Sequence, residues 1–375
     1  MIPMRFRWAR SNLFANPTDV VLSVVTGALV VWLLVVTANW ALLTARWSVV
    51  GDSLRVLLVG IYPAGQIWRI WVAADAFALM LGLSLGCVVP WTRISRKGGV
   101  TLLVAMAVMV ALSLNGQVSL SVTSLILTSG WVLASRLRGR SAVLLPAWFV
   151  ALVAVFTILA QPGLDEWGGL MLSIMLTIVV SVATLPLGIL LAFGRRSGMP
   201  SIRICCTGYI EIMRSVPLIL VVYWIWIGVP LLAPGHPISG LARGMGGYAI
   251  FYAAYVAEYV RSGLQAVPRG QVEAARSLGM PSWTVNVEIV LPQAIRVVLP
   301  ALVGNVLDIF NGATLVFILG LTDFLRAGQM ILADPGYSGR VYEVYAFMFA
   351  VYFAIGSTIT FASRKLEARL ARGGG

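Results

Sequence analysis

Charge is scarce in this sequence and acid is scarcer still: 11% of its 375 residues are charged, with 14 Asp and Glu against 27 Lys and Arg. A soluble domain usually carries about 25% charged residues, so an ordinary water-exposed surface is excluded. Lysine is reduced to Lys97 and Lys365, and neither lies in a Gly-x-x-x-x-Gly-Lys-Ser/Thr context. The chain therefore has no phosphate-binding loop with which to hydrolyse ATP itself. A single histidine, His236, excludes a histidine-based metal centre and a Ser/His/Asp nucleophile, so no enzyme activity is expected. Lying among prolines in a loop, His236 reads as a solvated residue. Three cysteines, Cys87, Cys205 and Cys206, in or near apolar runs, do not make a disulfide framework.

What the sequence has instead is apolar surface: 59% of its residues are hydrophobic. Uncharged runs of the roughly 20 residues needed to cross a bilayer recur at 20–43, 142–159, 167–194 and 344–363. Shorter candidates are 76–91, 100–114, 118–134, 215–232, 245–257 and 297–321. The expected fold class is all-α integral membrane, with about ten transmembrane helices. The first run follows Arg5, Arg7 and Arg10 but is too long for a cleaved signal peptide, so it is expected to stay as the first span.

Most basic residues fall in short clusters between alternate runs: Arg93/Arg96/Lys97, Arg136/Arg138/Arg140, Arg195/Arg196/Arg203, Arg261/Arg269/Arg276/Arg296 and Arg364/Lys365/Arg369/Arg372. The positive-inside rule puts these clusters, and both termini, in the cytoplasm. The net charge of +13 is thereby assigned to topology, with a lipid bilayer and no nucleic acid as its partner. The segment from Thr44 to Arg69, with Asp52, Tyr62 and Trp68, reads as a solvated external stretch with interfacial aromatics. A polar turn at Gln161–Glu166 divides a five-span extension, 1–160, from a second half at 167–364. Residues 365–375 form a basic cytoplasmic tail.

One loop carries most of the chemistry. In the cytoplasmic segment 261–296, Pro268 is placed to open a helix, Glu273 to sit in its early turns, and Gly279 to end it in the left-handed conformation. Ser282 is then expected to cap a second helix and Pro292 to stop it. Glu273-Ala274-Ala275, three residues, Gly279, nine residues, then Ile289-Val-Leu291-Pro292 resembles the EAA loop of bacterial ABC importer permeases.

Further stretches narrow the resemblance. Pro186–Ser197, Tyr209–Leu218 and Ala254–Gln271 are similar to the polar amino-acid branch of that family (histidine, glutamate, glutamine, arginine and opine permeases). The long N-terminal extension, with Ile61-Tyr-Pro and Gln66-Ile-Trp-Arg69, is similar to the general L-amino-acid permeases. The resemblance implies that 167–364 forms a type I importer core of five helices, and that the loop docks on a separate ATP-binding subunit, present as a dimer, which would bind ATP and Mg. Ala274 and Ala275 would then allow close approach, and Gly279 would set the angle between the loop's helices. It further implies a second permease, identical or homologous, a periplasmic amino-acid-binding protein and residence in the bacterial inner membrane.

Ionisable residues inside apolar runs are candidates for function, because insertion costs about 2.5–3.5 kcal/mol each near the bilayer centre. Glu211/Arg214 and Glu258/Arg261 are each spaced i,i+3, as expected of helix-surface ion pairs with a structural or gate-hinge role. Asp308 stands alone in its span. Where related permeases commonly read Lys-Asp-Thr-Ser-Leu, this chain reads Asn311-Gly-Ala-Thr-Leu315, in a segment that the resemblance assigns to the substrate cavity. Asp308, Asn311 and Thr314 are therefore the candidate pathway residues, with Asp308 one turn before Gly312 and able to meet a substrate ammonium. An ion-coupled secondary transporter built around Asp308 is the alternative function.

Overall fold

A computed structural model describes residues 15–88, 118–136 and 141–372; the expected span 100–114 and the basic clusters at 5–10 and 93–97 lie outside these. The described residues are helical, with one isolated bridge between Gly169 and Asp323. In chain order the helices are α1 (Pro17–Asn39), α2 (Ser48–Asp52), α3 (Leu54–Val59), α4 (Trp68–Val88), α5 (Val118–Arg136), α6 (Ser141–Ala160), α7 (Gly169–Arg195) and α8 (Pro200–Ser215). There follow α9 (Leu218–Leu232), α10 (Gly240–Ala266), α11 (Arg269–Ser277), α12 (Ser282–Thr284), α13 (Leu291–Gly312), α14 (Phe324–Leu332) and α15 (Val341–Arg372).

Among the described residues six helices are long and apolar enough to cross a membrane, and the pair α8–α9, bent by 111°, makes up to seven. That bend has a local cause: Val216 is extended because Pro217 follows it, which ends α8 and restarts the chain as α9. The expected span 215–232 is therefore only the second arm of a bent pair. Helix α10 is longer than the expected 245–257 and is packed on many sides, its buried residues including Gly244, Tyr248, Tyr252 and Val260. Ser239 caps it, its hydroxyl accepting from the Ala242 amide at 3.1 Å.

The described residues divide into two compact units, one within 15–54 and 331–350 and the other within 55–330 and 351–372. In the first, α1 is apolar all round and none of its residues is buried. Within the same unit the Arg46 amide donates to the Glu343 carboxylate at 3.2 Å, and Trp40 meets Trp47 and Tyr342 edge to face.

In the second unit, α7, α10 and α13 pack closely. A Cβ at Gly188 would lie 2.5 Å from the Val256 side chain, and one at Gly263 would lie 2.5 Å from the Ala294 carbonyl oxygen. Around Trp167, Leu172, Tyr248 and Ile309 the core also takes in Val59, Tyr62, Val155 and Leu159 from the N-terminal half.

The reading of 44–69 as a solvated stretch holds for Asp52 and Trp68, which are exposed, and is corrected at Tyr62. Tyr62 is buried, and the reason lies at the end of α6, whose last carbonyls have no intrahelical donor. Tyr62 Oη donates to the Leu159 carbonyl at 3.3 Å, Trp167 Nε1 to the same oxygen at 2.9 Å, and Arg69 to the Ile158 carbonyl at 3.3 Å. The next span also starts earlier than expected, with α4 beginning at Trp68. Asp75 therefore lies inside a membrane helix, where it accepts a 2.5 Å hydrogen bond from the Thr123 hydroxyl of α5.

Candidate functional site

The loop after α10 begins at Pro268, which leaves Val267 extended and caps α11. Helix α11 closes on Gly279 at φ 76°: the Gly279 amide donates to the Arg276 carbonyl at 2.9 Å and the Met280 amide to the Ala275 carbonyl at 3.2 Å. These are the paired bonds of a Schellman ending, which needs the left-handed glycine.

Three local expectations are revised. Glu273 falls outside the first turn, where an acid interacts most with the helix dipole, and is exposed. Ser282 makes no capping bond, since Pro281 occupies the cap position. Pro292 does not stop the second helix. A wide π-type turn at Val285–Val290, with i→i+5 bonding, removes the conflict between the proline ring and the preceding turn, and the helix runs on as α13.

The loop is fixed to the membrane helices by a buried cluster. Ala275 is 3% exposed and packs with Val285, Val290, Ala294, Val260 and Leu264. Of the paired alanines only Ala274 faces outward, so Ala275 serves the loop's own packing and is turned from any partner. Ile289 and Leu291 are partly buried against the same cluster, and Pro292 is exposed. Two residues that sequence reasoning missed dominate the outer surface: Leu278 is 82% exposed and Trp283 is 76% exposed. Large apolar side chains held out on a short, well-formed loop suit a protein contact. Their position inside the EAA-like spacing was the available signal.

Beside the loop lies a charged cluster that differs from the two expected pairs. Glu258 and Arg261 do pair, at 2.9 Å. Glu211 instead meets Arg195 of α7 at 2.9 Å, and Arg214 meets Glu258 at 3.6 Å. Arg195 also bonds Glu258, at 2.5 Å, so one carboxylate on α10 gathers guanidiniums from α7, α8 and its own helix. Spacing along one helix cannot reveal Arg195, which is 63 residues away.

Further along α10, Tyr248, Tyr252, Tyr255 and Tyr259 follow helical spacing on the side of α13. The Tyr248 hydroxyl donates to the Gly312 carbonyl at 2.6 Å and the Tyr252 hydroxyl to the Asp308 carbonyl at 3.0 Å. The Gly312 oxygen lies at the end of α13, where it tightens into the 3₁₀ turn Ala313–Leu319 and carbonyls lose their helical donors, and the Asp308 oxygen lies one turn before it. The Asp308 side chain is exposed, and among the described residues its carboxylate has neither an ion pair nor a hydrogen bond.

Thr314 Oγ1 donates to the Asn311 carbonyl at 2.8 Å, which ties these two pathway candidates together. Asn311 lines a cavity of about 450 Å³ with Ser357, Thr360 and Arg364, and Asp308 is not among its lining residues. The structure thus brings Asn311 and Thr314 together and leaves Asp308 on the tyrosine side.

The sequence matches the family model for the binding-protein-dependent transport system inner membrane component over residues 184–372. It is 32% identical to the inner membrane amino-acid ABC transporter permease protein YhdY of Escherichia coli K12, over 98% of this chain and 93% of that one. Identity is 29% with the glutamate/glutamine/aspartate/asparagine transport system permease protein BztC of Rhodobacter capsulatus, over 98% and 94%. A solved amino acid ABC transporter chain, crystallised with histidines, aligns with 54% of this chain and 92% of its own at 32% identity, with a TM-score of 0.48.

Proposed function

Because this chain belongs to the binding-protein-dependent inner-membrane components, the permease subunits of ABC transporters, we propose that it forms half of the membrane pathway of an amino-acid importer. It is a multi-pass inner-membrane protein. The cargo reading is supported by YhdY and BztC, which are similar along nearly their whole length and are named for amino-acid transport. A second permease completes the pathway, an ATPase dimer binds ATP and Mg, and a periplasmic binding protein delivers substrate. Both termini face the cytoplasm, a reading that the placement of the basic clusters supports.

The observation that carries the coupling role is the continuity from α11 to α13. Glu273, Ala274, Leu278 and Trp283 face out toward the ATPase, with Gly279 as the corner. Ala275, Ile289 and Leu291 lock the loop onto the ends of α10 and α13. With the π-type turn and Pro292 joining loop to span without a break, a push on the loop moves α13 as a lever. Glu211, Arg214, Glu258 and Arg261, with Arg195, hold α7, α8 and α10 together as a hinge. Asp308, Asn311 and Thr314 lie on the substrate side, Asp308 offering a carboxylate beside the tyrosine face of α10. An ion-coupled carrier built on Asp308 leaves both the loop and the family match without a role.

Reconstitution with the ATPase and binding protein tests this reading. Glu273→Lys is expected to lose ATPase co-purification. Asp308→Asn is expected to keep the ATPase and to raise the apparent KM for the amino acid about tenfold, the loss of roughly 1.4 kcal/mol of charge-assisted contact. A stable complex with full transport after Glu273→Lys would overturn the coupling role. Unchanged affinity and rate for Asp308→Asn, at equal membrane abundance, would remove it from the pathway.

A further inference from the structure

We propose that the cavity behind the coupling loop is a binding site for a phosphate-bearing anion, supplied at that depth by an anionic phospholipid headgroup. The cavity holds about 830 Å³, and five arginines line it: Arg195, Arg196, Arg261, Arg269 and Arg276, with Glu273 the one acid in the lining. Two of the five are already engaged, Arg195 by Glu211 and Glu258 and Arg261 by Glu258. Arg196, Arg269 and Arg276 have no carboxylate in ion-pair range among the described residues. They come from the end of α7 and from α11, so three uncommitted guanidiniums from two elements share one void. A single carboxylate brings one charge to such a place. A phosphate brings several acceptor oxygens, which the forked donors of arginine fit two at a time.

The depth of the cavity indicates the source. Helix α7 has 27 residues, about 40 Å at 1.5 Å per residue, against a hydrocarbon core of about 30 Å. Its last turn, at Arg195, therefore stands in the headgroup layer, as does the last turn of α10, which supplies Leu264 and Gln265 to the same cavity. Basic pockets between the ends of membrane helices take anionic headgroups in this way. The permease reading is needed here only to set this face at the bilayer surface. The occupied site would sit between the coupling loop and the ends of α7 and α10.

The test uses the full-length permease alone, delipidated in neutral detergent, with bound molecules counted by native mass spectrometry. Short-chain phosphatidylglycerol, the matching phosphatidylcholine and inorganic phosphate are titrated separately. Each guanidinium near such a surface contributes about fivefold in binding. Arg196→Gln/Arg269→Gln/Arg276→Gln together are therefore expected to weaken phosphatidylglycerol on the order of 100-fold, and Arg203→Gln/Arg364→Gln, outside the cavity, less than threefold. Phosphatidylcholine should bind the wild type and the triple variant alike.

If inorganic phosphate at millimolar concentration displaces the lipid from the wild type and fails to bind the triple variant, the site takes free phosphate; if it does not displace the lipid, the headgroup is the ligand. Retention of phosphatidylglycerol by the triple variant, or an equal loss in the control pair, overturns the site. Should the triple variant not give a monodisperse protein, Arg196→Gln and Arg276→Gln are read singly for the fivefold loss, and no change in either overturns it as well. Because no ATPase is present, failure of the coupling role and failure of this site are read from different experiments.

Discussion

Glu258 and Glu211 sit in one ion cluster but in different surroundings. The Glu258 side chain is 14% exposed and meets three guanidiniums, whereas Glu211 is 56% exposed and meets one. Removing the anion from the first leaves three partly covered cations without their common partner. Removing the second leaves an arginine that still has Glu258. Glu258→Gln is therefore expected to destabilise the protein by about 2–3 kcal/mol, and Glu211→Gln by under about 1 kcal/mol. Thermal melts in detergent compare them directly, and equal shifts would mean that the cluster is not organised around Glu258. Residue identity gave half of this network in advance. Glu258 and Arg261 share a helix face at i,i+3, and any reader of the sequence can pair them. Arg195 comes from another helix, and its place follows from the close approach of α7 to α10 at Gly188.

At the scale of elements, the loop shows why some local signals were legible and others not. Pro268 and Gly279 act through their own backbone, by removing a donor and by accepting a positive φ, so their effects could be read where they stand. Pro292 was misread because its effect depends on the hydrogen-bonding pattern before it, which the six-residue wide turn changes. That turn inserts one residue more than a regular helix requires, and each residue of an α-helix is worth 100° of rotation. Deleting Val287 should restore a regular helix and turn the outward face of Trp283 by about that angle, while leaving α13 in the membrane. The expected outcome is normal membrane abundance with ATP hydrolysis no longer coupled to transport. Coupled transport at the wild-type ratio in the deletion variant would show that the orientation of the loop does not matter.

Over the whole molecule, membrane residence could be read from composition and apolar runs, because the bilayer selects for length and hydropathy and for little else. How the halves of the chain pack could not. The polar turn at 161–166 marks a boundary in the sequence, yet the described residues between 55 and 160 share a compact unit and a core with the helices that follow, and Trp167 is 1% exposed between them. A chain begun at Gln161 would strip Tyr62, Val155 and Leu159 from that core. It is expected to accumulate several-fold less in membranes, since even about 1–2 kcal/mol has that effect, and co-expression of residues 1–160 should restore it. Equal abundance without the missing piece, measured by quantitative immunoblot, would show the core to be self-sufficient.

Helix α1 presents the opposite case, because no side chain in it is buried. Its residues answer to lipid, which distinguishes greasy from polar but hardly one greasy shape from another. Substitution there should be nearly neutral so long as hydropathy is kept. Over evolutionary time this segment would drift toward an alphabet of interchangeable Val, Leu and Ile, while Gly188 and Gly263 stay fixed letter by letter.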